Sequence, residues 1–76
     1  MDLNEFVTNF ANQFDDTDPA LFAPDTDFRQ FDEWSSLIAL SIIAMVDEEY
    51  DVSLKGEDIK RSKTIEDLYK IVASQV

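Results

Sequence analysis

Ser35-Ser36 stands between the acidic-aromatic stretch Asp32-Glu33-Trp34 and the uncharged run from Leu37 to Val46, which stops in Asp47-Glu48-Glu49-Tyr50-Asp51. A serine does nucleophilic chemistry only with a base beside it. The chain has no His to be that base and no Cys to be a nucleophile or soft metal ligand. No lysine lies near the pair in sequence, so catalysis by the chain itself is not expected. Asp16-Thr17-Asp18 and Asp25-Thr26-Asp27 are spaced like the start of a calcium loop, but each lacks the downstream glycine and closing glutamate. Only diffuse, charge-driven binding of divalent ions is expected there, with no dedicated metal site. What remains is a hydroxyl that another enzyme could modify, at a helix start, beside an apolar surface and a ring of acids. The plain alternative is that such a serine only caps its helix, the commonest role for this residue in this position.

The elements that must position this pair are helical. Leu3, Phe6, Val7, Phe10, Ala11 and Phe14 recur at helical spacing, with Asp2 and Glu5 in the first turn, and predict an amphipathic helix from about Asp2 to Phe14. Residues 15–33 hold both prolines and seven acids, which predicts a long loop with one short turn capped by Asp18 and led by Pro19. Leu21, Phe22, Phe28 and Phe31 are the expected anchors of that loop across the core. The next helix starts at Ser35 or Ser36 and ends near Tyr50. Nine of the eleven residues from Ser36 to Val46 are apolar, so no single stripe accounts for them. The expected inward face is Leu37, Leu40, Ile43, Ala44, Val46 and Tyr50, which leaves Ile38, Met45 and Ile42 towards the surface or a binding partner. After Gly56, Glu57-Asp58-Ile59 is enough for one helical turn with Ile59 as its inward anchor. Thr64 and Asp67 then form a capping box for a last helix from about Ile65 to Ser74. No strand alternation or repeat is present. The expectation is an all-α fold, three main helices plus one short one, in a single domain over residues 1–76.

Charge narrows the partners. The 17 acids and six bases leave −11, which disfavours nucleic acid and anionic membrane surfaces and favours a basic partner surface. Residues 1–54 hold 13 acids and one base, Arg29, whereas residues 55–76 hold four acids and five bases. No apolar run reaches membrane-spanning length, and the first residues are acidic where a leader peptide would be basic. A cytoplasmic, monomeric protein without membrane insertion is the expectation.

The order Ser36-Leu37, apolar helix, Asp47-Glu48-Glu49-Tyr50-Asp51-Val52, short turn, Thr64-Ile65-Glu66-Asp67-Leu68 resembles the acyl carrier proteins over most of the chain. The resemblance implies a small four-helix bundle of the acyl-carrier type. In that family a serine in an Asp-Ser-Leu motif at the start of the second helix carries 4′-phosphopantetheine, whose thiol holds acyl groups as thioesters. By position it implies that Ser36 is the attachment residue and that Ser35 replaces the usual Asp and caps the helix. It implies a phosphopantetheinyl transferase and acyl-loading, condensing and processing enzymes with basic docking surfaces as partners, and no catalytic residue. The implied partner-contacting set is Glu33, Leu37, Ile38, Ser41, Met45, Asp47, Glu48 and Glu49. Trp34 is expected to pack over the loop and the helix start. The chain departs from the family where Asp32-Glu33-Trp34 replaces the usual glycine, and where Ile38 and Ser41 stand in place of acids. Fatty acid, polyketide and aminoacyl or peptidyl carriage are all compatible with this pattern. So is an acidic helical interaction module that is never modified.

Overall fold

The computed structural model describes residues 1–76. Four α-helices follow in order, α1 (Leu3–Ala11), α2 (Ser36–Tyr50), α3 (Gly56–Lys60) and α4 (Ile65–Ala73), with short 3-10 turns at Pro19–Leu21 and Phe28–Gln30. There is no β-strand, as the sequence implies.

Each helix starts where its capping chemistry places it. The Asp2 carboxylate accepts from the Asn4 N–H at 3.0 Å, and Thr64 and Asp67 make the reciprocal pair of a capping box at α4. α1 ends earlier than expected. Gln13 and Phe14 donate to Phe10 and Ala11, three residues back, so the last turn tightens and still delivers the Phe14 ring to the core. α2 ends at Asp51, a non-glycine residue at φ 56°, whose N–H donates to the Asp47 carbonyl. Aspartate tolerates this left-handed conformation better than most side chains. The turn returns Val52 and Leu54 to the interior.

The acidic loop between α1 and α2 is held by specific contacts. Asp18 caps the Pro19 turn by accepting from Ala20 N–H, and Asp27 caps the Phe28 turn by accepting from Arg29 N–H. The Thr26 hydroxyl accepts from Ala23 N–H at 2.8 Å, and the Pro24 and Thr26 carbonyls accept from Glu66 and Ile65 at the start of α4. The loop therefore supplies partners for N–H groups that an isolated helix would leave unpaired. Its aromatic rings complete the core: Phe28 packs 5.3 Å from Phe10 and Phe22 packs 5.0 Å from Phe14. Phe22 and Phe28 are buried and Phe31 is half-buried, but Leu21 is 59% exposed and anchors nothing. It is the last residue of a three-residue turn whose capping fixes the backbone without needing its side chain.

In α2 the expected inward face holds at Val46, which is buried, and in part at Ile43 and Tyr50, which pack half-buried against the core, but not at Leu37, Leu40 and Ala44. Ile38, Ile42, Met45 and Val46 point inward, Ile42 at 0% and Met45 at 6% exposure, whereas Leu37 is 73% and Leu40 62% exposed and Ala44 is also exposed. Ile38 and Met45 are core residues, not partner contacts. Leu37, Ser41, Ala44 and Glu48 share one outward face at spacings of three and four, and Ile38, Ile42 and Met45 share the face packed into the core.

Candidate functional site

The serine pair divides its work by geometry. Ser35 has extended backbone, and its Oγ accepts from the Ile38 N–H at 3.3 Å, so Ser35 is the N-cap. Ser36 is the first helical residue and is exposed. Ala39 donates to the Ser35 carbonyl, which leaves the N–H groups of Ser36 and Leu37 as the open donors of the first turn. Capping by Ser35 frees the Ser36 hydroxyl, and the open donors and helix dipole suit an anion attached there.

Beside Ser36 a groove of about 370 Å³ opens between α2 and α3. Trp34, Ala39, Leu40, Ile43 and Ile59 make its apolar wall. Trp34 packs as expected, 4.8 Å from Phe28 and 6.4 Å from Phe14, and also contributes to the groove. The bulky approach Asp32-Glu33-Trp34 thus joins the aromatic core directly to the site.

Two positioning residues were not visible as such in the sequence. Arg29 lays its guanidinium 4.9 Å above the Phe28 ring and donates to the carbonyls of Ile59 and Ser62, tying the loop to the end of α3. Glu33 accepts from Asp15 N–H at 2.6 Å, Asp16 N–H at 3.0 Å and the Thr17 hydroxyl at 2.8 Å. Partial desolvation pushes its carboxyl up, but the hydrogen bonds from Thr17, Asp15 and Asp16 outweigh that and hold it below the usual carboxylate range. Glu33 therefore closes the loop ahead of the serines. Its carboxylate is engaged within the chain and is not a free contact for partners. Both residues act across long sequence separations, and the one signal in the sequence is that Arg29 is the single base among the first 54 residues.

Of the other expected contacts, Leu37, Asp47, Glu48 and Glu49 are exposed and Ser41 is half-buried; Leu37, Ser41, Asp47 and Glu48 lie on the outward side of α2 with Leu40 and Ala44, whereas Glu49 follows Met45 by one turn at the end of the buried side. No helix is long and apolar enough to cross a membrane.

A family model described as the phosphopantetheine attachment site matches residues 5–72. The chain belongs to this family of carrier proteins. Its members carry 4′-phosphopantetheine covalently and pass the attached cargo among partner enzymes, and the transferase that installs the arm is one of those partners. No curated protein and no solved structure matches the chain. The residues fit the arm: the carrier has an exposed hydroxyl at a helix N-terminus with open N–H donors, and an apolar groove adjoins it.

Proposed function

We propose that this carrier, a single domain over residues 1–76, bears its arm on Ser36 and presents acyl intermediates to biosynthetic enzymes. The observation that carries the reading is the split between the serines: Ser35 caps α2, and Ser36 leaves an exposed hydroxyl at the helix start beside the groove. In the loading step a bond forms between Ser36 Oγ and the phosphorus of the phosphopantetheine half of coenzyme A. The phosphoanhydride bond breaks, adenosine 3′,5′-bisphosphate leaves, and the serine proton passes to the transferase's base. The chain offers no base of its own at Ser36, so the rate belongs to the transferase. The arm, once attached, supplies the thiol that holds cargo as a thioester, which a chain without cysteine otherwise lacks.

Partners dock on the outward side of α2. Leu37, Leu40, Ser41 and Ala44 offer a weakly polar strip near Ser36, and Asp47, Glu48 and Glu49 offer charge at its far end. Such a surface suits an enzyme with an apolar contact near its active-site entrance and basic residues further out, whose encounter slows as salt rises. Incubation with coenzyme A and a broad-specificity phosphopantetheinyl transferase tests the reading. The intact mass rises by one phosphopantetheine; an unchanged mass with several such transferases favours the unmodified interaction module instead.

A further inference from the structure

Against its 17 acids the chain has six bases, yet the groove beside Ser36 includes two of them, Arg29 and Lys60, and no acid. The two other concavities of the surface are lined by four and five carboxylate residues, with no lysine or arginine in either. Arg61–Asp58 is the chain's one ion pair, so no carboxylate neutralises Arg29 or Lys60. The hydrogen bonds of Arg29 go to neutral carbonyls. The remaining wall is largely apolar, and about 370 Å³ is room for a small ligand.

A concave apolar wall with two uncompensated cations complements an occupant with an apolar body and an anionic end. We propose that the groove receives acyl chains ending in a second carboxylate, the dicarboxylic class of acyl group, with Lys60 and Arg29 as counter-ions. The inference rests on the reading of Ser36 as the arm's attachment point. A purely aliphatic chain would use the apolar wall alone and leave both exposed cations without a counter-charge. The arm's own phosphate has a different partner, since it sits on the Ser36 oxygen beside the open N–H groups of α2. Arg29 and Lys60 are instead tied to the end of α3.

The test loads wild type, Lys60→Gln and a charge-matched control, Lys70→Gln on α4, with six-carbon arms by transferase and the matching coenzyme A thioesters. One arm is hexanoyl, the other hexanedioyl with a ¹³C-labelled free carboxyl. Intact mass verifies loading, and the label is titrated by NMR. In wild type the free carboxyl titrates about 1 unit below the same thioester on free pantetheine, as a nearby opposite charge dictates. Lys60→Gln removes at least about half of that shift and Lys70→Gln leaves it in place. A net charge of −11 without a local cation site pushes the carboxyl the other way, so the sign decides. A raised or unshifted carboxyl overturns the proposal. So does a shift that Lys60→Gln and Lys70→Gln reduce equally. Trp34, the one tryptophan, reports the groove by fluorescence: identical changes for both arms, with no carboxyl shift, mean that the groove takes acyl chains whatever their end. If Lys60→Gln moves only the ³¹P resonance of the arm, the cations serve the phosphate and the proposal fails. Absence of loading overturns the carrier reading and this inference together, whereas full loading with an unshifted carboxyl overturns this inference alone.

Discussion

Ser35 and Ser36 carry the same side chain one residue apart, and backbone conformation alone separates their roles. Ser35, extended, turns its oxygen back to the Ile38 N–H, while Ser36, already helical, leaves its oxygen to solvent. Ser35→Ala therefore costs about 1 kcal/mol in a urea melt, the usual value of a lost N-cap, and Ser36→Ala stays within about 0.5 kcal/mol. Equal losses would mean that both hydroxyls cap the helix. Glu33 gives a second prediction. Its hydrogen-bonded carboxyl is held below the usual range in the fold, so its contribution to stability is present above its unfolded pKa, about 4.3, and is lost as pH falls through the lower folded value. Glu33→Gln imitates the protonated group. The stability difference between wild type and Glu33→Gln is full near neutrality and shrinks steadily below about pH 4, which urea melts at stepped pH will show. Asp67 acts in the same sense at α4, where the Thr64 and Lys63 N–H groups depress its carboxyl.

At the scale of elements, α2 is both core wall and presenting surface, and its rotation decides which residues do which. Ile42→Ala, at a fully buried position, costs about 2–5 kcal/mol. Leu40→Ala, at an exposed position beside the groove, changes stability by less than about 0.5 kcal/mol but slows processing by partner enzymes. Thermal melts and turnover with a partner separate the two, and a large stability loss from Leu40→Ala would put Leu40 back on the inward face. Helix positions and caps were legible in the sequence because their determinants are local: Asp18-Pro19, Ser35, and Thr64 with Asp67. The inward face of α2 was misread at Leu37, Leu40 and Ala44 because apolar residues surround its first three turns. The acids that follow do not decide it, since Glu49 follows Ile42 and Met45 as Glu48 follows Ser41 and Ala44; the elements packed against α2 do. Arg29 and Glu33 were illegible for another reason. Their partners lie 30 and 33 residues away for Arg29, and up to 18 for Glu33, and no local periodicity reports such contacts. The place of the serine pair at a helix start was legible from the order of elements, whereas the groove and its two cations needed α2 and α3 brought together.

Across the whole molecule, charge and function pull against each other. Thirteen acids and one base over residues 1–54 would, on the proposed function, attract basic enzymes from a distance, and they oppose compactness by self-repulsion. Added sodium chloride accordingly raises the melting temperature while it slows partner association, and a fall in melting temperature with salt would contradict that balance. The molecule meets the repulsion by drawing individual carboxylates into caps and loop closures, as at Asp2, Asp18, Asp27, Glu33 and Asp67, and keeps Asp47, Glu48 and Glu49 for the outside. All of this serves one covalent attachment. The most direct test of the account is peptide mapping by tandem mass spectrometry after transferase treatment of wild type, Ser35→Ala and Ser36→Ala. The account predicts one phosphopantetheine on Ser36 in wild type and in Ser35→Ala, and none in Ser36→Ala; modification of Ser36→Ala at Ser35, or of no serine in wild type, would contradict it.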